Sequence, residues 1–253
     1  MPRTCRDGKA PPHCCSAAMP CTRKWLHNAS ISSPAPASIS RYSGWTKKRR
    51  KTMNDLMQPL PGLDVWHPAT QQAVFRRLLD CYSHPGRVEA CGDTDRAPLT
   101  ALLATLLDAE TSLADPHHLI KAGDWPKLEV RSGTAEHAAF VVANGTLAAD
   151  FTPRLGTLES PEQSATLLLL VNSLVNPLGN EQARSGGQCL NLKLSGPGIP
   201  GTLKLAVSGL HPGWLSARAD WVAVFPLGVD LILCDSRGFT ALPRTTHIEL
   251  EVC

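Results

Sequence analysis

No stretch of eighteen apolar residues occurs in these 253 residues; the longest greasy run, ATLLLLV at 165–171, is far too short to span a bilayer. That excludes a helical integral membrane protein. Acidic residues are almost missing from the first 52 positions, where eleven Lys/Arg stand against Asp7 alone, a net of +10. The remainder holds fourteen Lys/Arg and twenty-one Asp/Glu, and 14 − 21 gives −7. The folded part is therefore acidic, and the overall charge of +3 says nothing in favour of nucleic-acid binding.

Several chemistries are excluded by missing motifs. There is no C-x-x-C pair to start a zinc site, and the nine cysteines are irregularly spaced with no secretory signal before them. Reduced thiols and a cytoplasmic location follow as the expectation. A phosphate-cradling G-x-x-x-x-G-K-[ST] loop is absent, as is the G-x-S-x-G nucleophile elbow. Lysine is scarce after Met53, with only Lys121, Lys127, Lys193 and Lys204. None lies in a recognisable strand-end loop, so a pyridoxal-phosphate Schiff base has no evident host.

What is there falls into two regions. Residues 1–52 combine Pro, Ser, Thr and Arg and end in KKRRK at 47–51, which reads as a disordered basic leader. The composition break at Met53 marks that residue as the expected true start, with residues 53–253 a single domain. Within it, Val74, Phe75, Leu78, Leu79 and Tyr82 form a stripe expected to face the core from a helix over 71–82. Leu99, Leu102, Leu103, Leu106 and Leu107 mark a second helix, with Asp95 as candidate N-cap. Short apolar runs at 138–142, 167–171 and 229–234 read as strands buried on both faces. Leu190, Leu192 and Leu194 alternate with polar positions, a half-exposed strand, and 214–222 reads as a helix. Residues 241–242 and 247–252 close the β structure. The fold class expected is α/β, a mixed sheet flanked by helices.

Three groups of residues invite a chemical reading. GPGIPG (Gly196, Pro197, Gly198 through Gly201) matches a dinucleotide fingerprint in form, but each proline removes a backbone donor that such a loop aims at a pyrophosphate. A turn using glycine's φ freedom is the better reading. Asp108, Glu110 and Asp115 are oxygen donors that could hold Mg²⁺, or simply the solvated end of the leucine helix; His117-His118 makes an incomplete metal site. Arg244, Thr245, Thr246 and His247, following a strand that includes Asp230, could grip a phosphate or carboxylate. The competing reading makes Arg244 a structural or interface arginine.

PLGVDLIL followed by ALPRTTHIE resembles the C-terminus of the PhnH family, a subunit of the bacterial carbon–phosphorus lyase system. FRRLLDCYSHPG (75–86), LLDAET (106–111), GTLESPEQSATLLL (156–169) and LKLSGPGI (192–199) resemble further family segments in the same order, covering about residues 57–253. Gly is common in the family where Ser164 stands, which would strain a serine only at positive φ. The resemblance implies a fold similar to the large domain of pyridoxal-phosphate aminotransferases without the Schiff-base lysine or that cofactor. It also implies a homodimer that joins PhnG, PhnI and PhnJ, with no nucleic acid or membrane partner. Assisted by PhnL, such a complex couples ATP, its substrate, to an alkylphosphonate, releasing adenine and yielding ribose 1-alkylphosphonate 5-triphosphate; a radical iron–sulfur subunit later breaks the C–P bond. The nucleosidase chemistry is placed on PhnI, so a structural or assembly role is expected for this chain. The alternative is direct nucleotide or phosphonate binding through Arg244, Thr245 and Thr246. The candidate functional or interface surface is Gly196, Pro197, Gly198, Asp230, Arg244, Thr245, Thr246 and His247.

Overall fold

Apolar runs without polar alternation, such as Leu167-Leu168-Leu169, are stable in a sheet only when both of its faces are covered. The computed structural model describes residues 64–92, 94, 96–175 and 189–251, and covers those runs in that way. In chain order the elements are α1 (Pro68–Ser83), β1 (Glu89–Ala90), α2 (Pro98–Leu106), β2 (Ser112–Ala114), α3 (Trp125–Leu128), β3 (Arg131–Ser132) and β4 (Phe140–Asn144). They continue with β5 (Thr166–Leu170), β6 (Ser173–Val175), β7 (Cys189–Ser195), β8 (Leu203–Ser208), α4 (Gly213–Trp221), β9 (Asp230–Cys234), β10 (Gly238–Leu242) and β11 (His247–Glu251).

A seven-stranded mixed sheet runs β1-β10-β9-β5-β4-β2-β3, with β10 antiparallel to both neighbours and the pairs from β9 to β3 parallel. Side chains alternate across it. Val142, Leu168, Ile232 and Cys234 point to one face, where they pack with Val74 and Leu78 of α1 and Leu102 and Leu103 of α2. Val141, Leu167, Leu169, Leu231 and Leu233 point to the other. There they meet Leu192, Leu194, Leu205 and Val207, together with Trp214 of α4. Those leucines belong to a second, four-stranded antiparallel sheet, β11-β7-β8-β6. Trp214 is fully buried, donates its indole N–H to the Leu147 carbonyl at 2.8 Å and stacks edge-on against Phe151. At about 2 kcal/mol for each large side chain fully buried, these two apolar layers dominate the stability of the domain.

The expected mixed sheet is present, and its flanks need correction. Helices α1 and α2 cover only one face; the other is covered mainly by the second sheet and α4. The α1 stripe also needs correction, because Phe75 and Leu79 are 44% and 48% exposed. The buried line is Thr70, Ala73, Val74, Leu78 and Cys81, whose smaller side chains let the helix sit close to β10. Helix α2 begins at Pro98 after an Ala97 N-cap with no side-chain cap bond, a role in which Asp95 was expected; Asp95 itself lies outside the described residues, as do the leader and Met53. No helix among the described residues is long and apolar enough to cross a membrane.

Candidate functional site

The β9–β10 hairpin decides where the sequence-predicted residues meet. Its register places Leu242 opposite Leu231, so the next residues outward, Asp230 at the start of β9 and the Pro243-Arg244 turn after β10, must come together. The Arg244 backbone N–H donates to Asp230 Oδ1 at 2.7 Å. The Arg244 guanidinium then forks onto the same carboxylate, Nε to Oδ1 at 3.3 Å and Nη2 to Oδ2 at 3.0 Å.

The remaining donors of that guanidinium also have partners. Nη1 donates to the carbonyls of Pro161 at 3.1 Å and Pro226 at 3.2 Å, and Nη2 donates to Ser164 Oγ at 2.5 Å. An arginine carries five N–H donors, and here every one has an acceptor within the chain. The side chain is only 16% exposed, and Asp230 20%. An anion arriving at Arg244 would have to displace one of these bonds, so the geometry is that of a clasp joining three segments: 161–164, 226–230 and the β10–β11 turn. Ser164 has φ −66° and ψ 158°, ordinary extended backbone, so the strain that a positive φ would bring is absent and the serine supplies one of the clasp's acceptors.

A second arginine backs the clasp. Arg218 of α4 is 3% exposed and donates from Nη2 to the carbonyls of Pro243 at 2.6 Å and Thr246 at 3.1 Å. Burial pulls its pKa down to about 10, an effect that the nearby Asp230 carboxylate opposes. Tyr82 of α1 reaches the same neighbourhood, interacting with Thr166; burial, reinforced by Asp230, pushes its hydroxyl up.

The glycine turn and the C-terminal group, far apart in sequence, are neighbours. β11 pairs with β7 from His247 opposite Ser195, which brings Gly196 against the Thr245 carbonyl. Gly196, Gly198 and Gly201 all have positive φ (131°, 81° and 81°), as the turn reading requires. At Gly198 a Cβ would be driven into the Ser83 carbonyl oxygen and to 2.9 Å from Pro85 Cδ, so this turn seats on the end of α1. Between them lies a mostly apolar groove of about 440 Å³ lined by His84, Pro85, Arg87, Ile199, Pro200 and Leu203. Pro197, Gly198, Thr245 and His247 are exposed at this end of the molecule, whereas Thr246 is 2% exposed. The eight residues thus form one contiguous group with two layers: an internal clasp of Asp230 and Arg244 over Thr246, and an outer rim.

The acidic candidates serve turns. Asp108 Oδ1 accepts from the backbone of Glu110 and Thr111 at 3.0 Å each, and both oxygens of Asp115 accept from Leu119 and Ile120 at 2.9 and 2.8 Å. Among the described residues no three His, Cys, Asp or Glu side chains are grouped to hold a metal. His117 Nδ1 accepts from the Asn144 backbone N–H at 3.1 Å, tying the ends of β2 and β4. A cleft of about 640 Å³ with a mixed polar and apolar lining opens beside them, lined by Asp115, His118, Trp125, Glu136, Asp150 and Phe151 among others. Sequence reasoning missed it, since the segments meet only through the β3-β2-β4 strand order.

Known proteins match this chain over the described domain. The family described as "Bacterial phosphonate metabolism protein (PhnH)" matches residues 63–249. HtxG of Stutzerimonas stutzeri, named as a C-P lyase subunit protein, is 43% identical over 187 residues, 74% of this chain and 90% of its own length. The alpha-D-ribose 1-methylphosphonate 5-triphosphate synthase subunit PhnH of Rhizobium meliloti is 31% identical over 193 residues, 71% of this chain and 90% of its own. The match takes in the glycine turn, the clasp and the helices beneath them: the chain belongs to the PhnH family of bacterial phosphonate metabolism proteins.

Proposed function

We propose that the chain is a subunit of a C–P lyase core complex that makes alpha-D-ribose 1-methylphosphonate 5-triphosphate from ATP and methylphosphonate, and that it contributes assembly rather than catalytic groups. The observation that carries this reading is the saturated Arg244. The residue best suited by sequence to grip a phosphonate or triphosphate has spent all five donors on its own chain. The lysines agree with it. Lys121, Lys127 and Lys204 are exposed, and Lys193 is paired with Glu249 at the surface, so among the described residues no buried amine offers itself to an aldehyde cofactor. We therefore also propose that the chain works without pyridoxal phosphate. The seven-stranded sheet with its single antiparallel strand is consistent with kinship to the aminotransferase large domain.

The partners of this reading are PhnG-, PhnI- and PhnJ-type subunits in the cytoplasm, with a homodimer as the state of the isolated chain. The outer rim of Pro197, Gly198, Thr245 and His247 is proposed as functional surface, held in shape by the clasp beneath it. The test is turnover of ATP and methylphosphonate by the purified chain and by the chain reconstituted with those subunits. Turnover by the complex with none by the chain alone is expected. Adenine release by the isolated chain would overturn the assembly role.

A further inference from the structure

Among the described residues, the three most exposed large apolar side chains are Leu158 (71%), Phe225 (67%) and Val224 (62%). They fall on two loops that the Arg244 clasp ties together: Nη1 holds the Pro161 carbonyl of one and the Pro226 carbonyl of the other, and the Gly228 N–H donates to the Leu155 carbonyl at 3.1 Å. Exposing apolar side chains costs hydration free energy, and holding their loops in place costs conformational entropy as well. Here the chain does both, and uses the side-chain hydrogen bonds of Arg244 for the second.

Charge identifies what covers this apolar knuckle. Residues 155–163 and 219–229 carry Glu159, Glu162 and Asp220 and no Lys, Arg or His. All three acids are exposed. A second copy docking by the same patch would set each carboxylate cluster against its own like, because a two-fold interface brings one surface onto itself. The geometry points to a different partner: a sister subunit of the C–P lyase whose surface offers an apolar pocket for Phe225 and Val224 ringed by Lys and Arg. This inference rests on the assembly role proposed above.

The experiment measures binding of the full chain to the separately purified assembly of the other C–P lyase subunits by biolayer interferometry. It compares wild type, Val224→Ser/Phe225→Ser, Glu159→Lys/Glu162→Lys/Asp220→Lys and, as control, Phe75→Ser/Leu79→Ser on α1. The apolar variant is expected to weaken binding at least thirtyfold and the charge variant at least tenfold. The control should stay within threefold, with each variant keeping the wild-type circular dichroism and melting midpoint. Wild-type binding that survives both knuckle variants unchanged overturns the inference and leaves the assembly role standing; no wild-type binding at all removes the assembly role itself. Sedimentation of the apolar variant adds a further check: loss of a homodimer with partner affinity intact would assign the knuckle to self-association and overturn the inference.

Discussion

Replacing Arg244 by alanine separates a clasp from a ligand site. The substitution removes five donors at once, leaving Asp230 with the Arg244 backbone N–H at 2.7 Å and the Pro161 carbonyl with the Ser164 N–H at 3.3 Å, and taking the arginine's donors from Ser164 Oγ and the Pro226 carbonyl. Breaking one side of a buried ion pair costs about 3–5 kcal/mol. The pair is 16% and 20% exposed, so water recovers part of that and the lower end applies, about 3 kcal/mol. For a domain of this size each kcal/mol moves the melting midpoint by about 2–4 °C, hence a drop of roughly 6–12 °C. Differential scanning calorimetry reads it directly. A double-mutant cycle with Asp230→Ala should return a coupling of about 2 kcal/mol. Arg244→Lys should recover little, since one ammonium cannot reach acceptors spread around a planar fork. A midpoint within 1 °C of wild type, together with lost affinity for methylphosphonate or ATP in calorimetry, would refute the clasp and restore the anion-binding alternative.

Two further outcomes follow from the same geometry. Gly198 and Gly201 share a φ of +81°, but a Cβ at Gly198 meets the Ser83 carbonyl whereas at Gly201 it meets open space. Gly201→Ala should therefore cost about 1 kcal/mol for the left-handed backbone alone, and Gly198→Ala at least 1 kcal/mol more; equal urea midpoints would contradict the packing of this turn on α1. The buried thiols make a statement about pH. Burial pushes Cys81 up to about 12 and raises Cys91 and Cys234 as well, so the native state keeps protons that the unfolded chain releases above pH 9. Stability from these groups is complete well below pH 9 and declines as pH rises; Cys81 and Cys234 together lose roughly 2–3 kcal/mol between pH 8 and pH 10, and Cys91 adds to the decline in the same direction. Arg218, pulled down to about 10, works in the opposite sense only at higher pH. Urea unfolding at the two pH values checks the decline, and a flat or rising profile would contradict it.

What was legible in the sequence was what local pattern encodes. The buried strands, both main helices and the turn character of GPGIPG rest on runs of adjacent residues, and each occurs within a few positions of its expected place. The second sheet was not legible, because it joins β11 to β7 and β6 to β8 across large sequence separations that alternation cannot specify. The exposed Phe75 and Leu79 show the limit of periodicity. Val74 and Phe75 are adjacent, so the pattern is compatible with two rotations of the helix, and packing of Ala73, Thr70 and Cys81 selects the one that leaves the phenylalanine outside. Arg244 was marked from its neighbours Thr245 and Thr246, yet its partners Ser164, Pro161 and Pro226 come from other segments. Nothing local distinguishes a guanidinium with five internal acceptors from one awaiting a phosphate. Asp230 stands in the same candidate surface with no local sign that it pairs with Arg244, and only the hairpin register brings together these two residues fourteen positions apart.

The central claim is that this chain acts by docking to sister subunits and supplies no catalytic group of its own. Native mass spectrometry of the chain co-expressed with the other C–P lyase subunits tests it most directly. The account predicts one assembly containing this chain in fixed stoichiometry, and loss of that chain from the assembly when Val224 and Phe225 are both serine. A complete, active assembly formed without the chain, with the chain itself running free, would contradict it.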